Sequence, residues 1–191
     1  MFHTPIESRA MSKQPLQFPA PMDLCRDQAP ATMDCQGLRL AAEVRRSSSG
    51  QAFRPAFAAG DWRVFASFCV ARRLPADHRV LIPGRPDRTL RFVVEGSLWQ
   101  ESVESTPDAS GRPRLLMPGS IVGEDSLFLD APCDLDVRTL EASLVLELTL
   151  PRHKELTAAC PEIGFELLRA AGAVIAARGR TSGLRAEVAT N

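Results

Sequence analysis

No stretch of this sequence is apolar for long enough to cross a membrane. The longest apolar run of its C-terminal half, Ala170–Ala177, is eight residues held between Arg169 and Arg178, and a span needs roughly twenty. The first ten residues lack the apolar segment of a secretory signal, so the expected location is the cytoplasm. An excess of positive charge is missing too. Lys and Arg number 23 against 23 Asp and Glu, which disfavours a protein that works by neutralising nucleic-acid phosphates. Histidine is scarce, and His3, His78 and His153 are too scattered along the 191 residues for a histidine-based metal site. Cys25, Cys35, Cys69, Cys133 and Cys160 include no C-x-x-C pair. Neither a zinc knuckle nor a thioredoxin-type motif can be built from neighbours, and free, reduced thiols are expected.

Residues 1–50 read as a flexible tail. Pro5, Pro15, Pro19, Pro21 and Pro30 fall among polar residues and interrupt any regular element; Met11 offers an alternative start. Within the tail, Leu38–Arg46 predicts a short helix, since Leu40, Ala41 and Val44 share a face before Ser47-Ser48-Ser49-Gly50 breaks it. The segment up to Arg46 is nevertheless expected to be dispensable for folding. A folded domain then spans residues 51–182, with residues 183–191 a second tail. It opens with a helix after Asp61, a good N-cap, because Trp62, Phe65, Ala66 and Cys69 recur at helical spacing.

Short runs separated by turns follow. Val70–Leu74, Arg79–Ile82, Thr89–Val94, Ser97–Ser102, Arg114–Met117, Asp134–Leu140 and Ser143–Leu148 predict strands, punctuated by Pro83-Gly84, Glu95-Gly96 and Pro118-Gly119. Strands so short and closely spaced point to a mainly β, antiparallel jelly roll (double-stranded β-helix). Pro151–Ala159 predicts one further helix and Pro161 starts another. Leu167, Leu168, Ala171, Val174 and Ile175 line its apolar stripe; Arg178 and Arg180 suit its C-terminal dipole, and Gly179 frays or stops it.

That order of elements, with Leu81-Ile-Pro-Gly84, Leu90-Arg-Phe-Val-Val-Glu-Gly96, Met117-Pro-Gly119 and Val122-Gly-Glu124 in sequence and Cys160-Pro-Glu opening the last helix, resembles the cyclic-nucleotide-binding domain of the catabolite-activator (Crp/Fnr-like) superfamily. The resemblance covers roughly Asp61 to Arg180. It implies that Gly123 and Glu124 open a short cassette with Asp125 and Ser126, with Leu127 and Phe128 anchoring it in the core. In the family the cassette's backbone N–H groups face a cyclic phosphate and the glutamate takes the ribose 2′-hydroxyl. Gly84, Gly96 and Gly119 read simply as turn glycines of positive φ.

Two departures stand out. The family's phosphate-clamping arginine follows a proline nine residues after the glutamate; here Pro132 is followed by Cys133, then Asp134. Losing two charge-assisted bonds of roughly 1.5–3 kcal/mol each costs on the order of 10²–10⁴-fold in affinity. Arg138 is a poor substitute, lying roughly 16 Å further along a strand with opposite parity. The second departure is length: the eleven residues after Arg180 are too few for a helix-turn-helix, so direct DNA binding is not expected.

No catalytic residue is expected. A cupin-like site needs more histidines than the roll contains, and Cys133 has acidic neighbours that would raise its pKa. Two readings stay open. In one, the domain is a ligand-responsive regulatory sensor whose site comprises Gly123, Glu124, Asp125, Ser126, Cys133 and Asp134, taking a cyclic nucleotide or related phosphorylated ligand. In the other, it is a degenerate domain used for dimerisation or partner-protein binding. A homodimer is expected through Leu167, Ala171, Val174 and Ile175.

Overall fold

A computed structural model describes residues 31–47, 52–102, 113–129 and 132–189. Helix α1 (Ala31–Arg46) and α2 (Ala59–Ser67) precede strands β1 (Val70–Leu74), β2 (Arg79–Leu81), β3 (Thr89–Glu95), β4 (Leu98–Ser102), β5 (Arg114–Leu116) and β6 (Ile121–Val122). A single turn, α3 (Asp125–Phe128), leads to β7 (Leu135–Thr139) and β8 (Ser143–Thr149), and the chain ends on α4 (Leu150–Ala159) and α5 (Pro161–Ala189). The strands form two four-stranded antiparallel sheets, ordered β1-β8-β3-β6 and β2-β7-β4-β5. The fold is therefore an antiparallel jelly roll flanked by helices at both ends.

The two-residue period of the strands divides the core. On β3 and β8, Leu90, Phe92 and Leu144, Leu146, Leu148 turn outward to the helices, while Val93 and Val145 turn inward to Leu98, Leu116, Val122 and Val137 of the roll. Phe53, Phe65 and Phe92 are fully buried and stack within 4.8–6.5 Å of one another. Each such ring contributes about 1.5–3 kcal/mol by burial. At Gly96, φ is +77° and a Cβ would sit 2.8 Å from the Ala142 carbonyl oxygen, so only glycine fits this hairpin.

Several expectations change. The short helix extends over Ala31–Arg46 and buries Leu40, Ala41 and Val44 in the helix-side core, so that part of the presumed tail is structural. Prolines end at Pro30, and the apolar face beyond them was enough to pack. Asp61 is not the N-cap: it lies one turn inside α2 and its Oδ2 accepts the Ala58 N–H at 2.8 Å. Gly179 does not stop the last helix, which continues to Ala189 through the residues expected as a tail; glycine costs a helix only about 1 kcal/mol. Cys69 and Cys133 are free thiols, but Cys160 is disulfide-bonded. Sequence spacing alone does not say which thiols a fold brings together. Residues 1–30 lie outside the described residues.

Candidate functional site

The cassette begins where β6 ends. Gly123 takes φ +82°, a left-handed turn open to glycine, and delivers Glu124 into α3. Glu124 is only 2% exposed. Its carboxylate is met by Arg178 of α5, whose Nη1 donates to Glu124 Oε1 and whose Nη2 donates to the Ile121 carbonyl oxygen at 2.8 Å. The second carboxylate oxygen, Oε2, is buried with no hydrogen-bond partner among the described residues. Burial, with the like charge of Arg114 behind it, pushes the Arg178 pKa down to about 10. The guanidinium thus stays charged at neutral pH.

Arg178 is the functional residue that sequence reasoning missed. Its signal was present: Ile163, Leu167, Ala170, Ala171 and Val174 are buried at helical spacing, and Arg178 is the next position of that stripe. A cation near a helix end suits the dipole, but the helix has not ended there and continues to Ala189. Gln100 is a second such residue. It lies two residues from inward Leu98 on the same face of β4, is 6% exposed, and its Oε1 has no hydrogen-bond partner among the described residues.

The other side of the cassette is acidic. Cys133 is half-buried and its thiol accepts the Leu135 N–H at 3.4 Å. Burial raises its pKa first; the Leu135 N–H opposes this, and Asp134, Asp125 and Asp87 add to the rise. Asp125 is itself raised, by burial and then by Asp134. The fold therefore brings Asp125, Cys133 and Asp134 together, where an anion would meet negative charge. Asp136 and Arg138 leave the site for the opposite face of β7, where Asp136 Oδ2 accepts from Arg79 Nη2 and Arg138 Nη2, each at 2.9 Å. The side chains of Ser126 and Leu127 lie outside the described residues. Phe128, expected as a core anchor, is 52% exposed, because a four-residue turn presents only part of its circumference to the roll.

The expected dimer stripe is largely consumed within the chain. Leu167, Ala171 and Val174 are at most 1% exposed and belong to the helix-side core; Ile175 alone is half-buried. Small Ala170 and Ala171, buried in that core, let α5 pack closely within the chain. Among the described residues there is no group of three metal-ligating side chains, and no helix is long and apolar enough to cross a membrane.

No family profile and no curated protein matches the sequence. Solved structures do match. A cyclic nucleotide-binding domain from Methylobacillus flagellatus aligns at 18% identity over 80% of this chain and 83% of its own, with TM-score 0.65. The Thermus thermophilus catabolite activator protein aligns at 21% identity over 74% of this chain and 63% of its own, TM-score 0.58. A c-di-GMP-responsive global regulator of Xanthomonas campestris aligns at 24% identity over 68% and 63%, TM-score 0.58. The chain thus spans less than two thirds of the length of the two regulators. At these identities the likeness establishes a shared fold.

Proposed function

We propose that this chain, built on the jelly-roll fold of cyclic-nucleotide-binding domains, is a ligand-responsive regulatory protein without catalytic function. One observation carries the reading: Glu124 sits buried at the head of the cassette with a carboxylate oxygen that no described residue satisfies. An unmet buried acceptor costs about 1–3 kcal/mol, and a hydroxyl of a bound ligand would relieve it. In this reading the protein works in the cytoplasm and passes its signal to a partner protein or a second copy.

A thermal-shift screen of the full chain against cyclic AMP, cyclic GMP and cyclic di-GMP at 1 mM tests this. A rise in midpoint with at least one of them supports the reading; no rise with any overturns it.

The second reading, a degenerate partner-binding module, is favoured by the acidic grouping of Asp125, Cys133 and Asp134 and by Arg178 occupying Glu124. Its homodimer would use the outer face of α5, where Phe165 is 65% exposed and Leu168 and Ile175 are half-buried. A monomeric mass by light scattering at micromolar concentration would refute that dimer.

A further inference from the structure

The chain that lost its cassette arginine has arginines elsewhere on the inner face of the roll. On β5, Leu116 is buried in the inner core, so Arg114, two residues earlier on the same strand face, points into the roll as well. Arg114 pairs across the ladder with Gln100, which in turn pairs with the inner-core residue Val137. Gln100, Arg114 and Glu124 lie two residues from Leu98, Leu116 and Val122 respectively, which share one inner-core cluster, and Arg178 joins them through its bond to Glu124. Four polar side chains from four elements, Gln100 of β4, Arg114 of β5, Glu124 at α3 and Arg178 of α5, therefore converge on one interior region. Among the described residues these four side chains carry two guanidinium groups and one carboxylate. Glu124 Oε2 and Gln100 Oε1, two buried oxygens that no donor among the described residues meets, belong to this same group.

We propose that Arg114 and Arg178 form a relocated anion clamp inside the roll, taking a phosphate-bearing nucleotide whose hydroxyl or amino donors satisfy Glu124 and Gln100. The inference rests on the ligand-responsive reading above and specifies its chemistry. The ligand's anionic group lies toward β5 and α5, away from Asp125 and Asp134, so the acidic cassette no longer opposes binding. Orphan acceptors beside unusually placed cations define a ligand with both donors and negative charge. A purely apolar or cationic ligand would leave both requirements unmet.

Arg114 is half-buried and accepts substitution without stranding a buried carboxylate, so it is the residue to change. Cyclic AMP, cyclic GMP and cyclic di-GMP are each titrated calorimetrically into the full chain and into Arg114→Ala, Arg114→Lys, Gln100→Leu and, as a control on the outer surface of β1, Arg73→Ala. For any nucleotide that binds, Arg114→Ala is expected to raise Kd by about 10- to 100-fold, with Arg114→Lys recovering part of the loss. The dependence of log Kd on log salt should flatten in Arg114→Ala. Gln100→Leu should weaken binding without changing the salt dependence, and Arg73→Ala should leave both unchanged. A Kd within twofold of wild type in Arg114→Ala overturns the clamp while the sensor reading stands. No heat with any of the three nucleotides overturns both.

Discussion

Removing Arg178 while leaving Glu124 should be among the most damaging single changes this fold can suffer. The two side chains are 10% and 3% exposed, and Arg178 also holds the Ile121 carbonyl. In Arg178→Met the alkyl stem is kept but the Glu124 carboxylate is left charged and buried without its cation. Breaking such a pair costs about 3–5 kcal/mol. For a domain of this size that corresponds to a fall of roughly 6–20 °C in Tm. Neutralising the survivor should reverse most of the loss, since replacing both partners of a buried pair is often close to neutral. The double variant Glu124→Gln with Arg178→Met is therefore expected to be more stable than Arg178→Met alone. Urea denaturation of wild type, both single variants and the double variant closes the cycle, with the two losses strongly non-additive. A loss below about 1 kcal/mol in Arg178→Met, or simple additivity, would refute the argument that α5 is tied to the cassette through this pair.

Three further outcomes follow from the same structure. His153 is 7% exposed and burial lowers its pKa from 6.5; the unfolded chain then binds more protons, so stability should fall as pH drops below about 6.5, and Tm measured at pH 5 and 7.5 should differ less in His153→Gln. Leu40 is fully buried, so Leu40→Ala should cost about 2–5 kcal/mol in urea, and an unchanged midpoint would show that α1 is not part of the core. Cys133→Arg with Asp134→Ala puts a cation at the cassette, where the clamp proposed above places no phosphate, so cyclic AMP affinity measured by calorimetry should change by less than about threefold; a rise of about two to three decades would place the phosphate at the cassette instead.

The β-roll was legible because its signals are local. Val70–Leu74 matches β1 at both ends, and the other predicted strands differ by one residue at a margin, or at both margins for β7. Alternation and turn glycines act over a few residues, and the glycines at 84, 96 and 119 all take positive φ. β6 escaped notice because two residues, Ile121 and Val122, cannot display an alternation. Asp61 was displaced by one turn because an aspartate accepting the N–H of a residue three earlier looks, in sequence, much like one that caps its own helix.

The site was legible only on its cassette side, and the reason lies in how each residue reaches it. Gly123, Glu124, Asp125, Cys133 and Asp134 are neighbours in sequence, so a resemblance carried on short motifs finds them together. Gln100, Arg114 and Arg178 come from three distant elements, and their meeting depends on strand register and on how far α5 continues. One part of that was nevertheless available from periodicity. The stripe that marks Leu167, Ala171 and Val174 as core places Arg178 on the same face, and a charged residue on an apolar stripe requires a buried partner. Taking Gly179 as a terminus removed that requirement, because an arginine at a helix end is already explained by the dipole. Gly179 only weakens the helix and does not end it. Once α5 is allowed to run on, Arg178 must find a carboxylate inside the roll, and Glu124, a buried ionisable group at the head of the cassette, is the matching half of the pair.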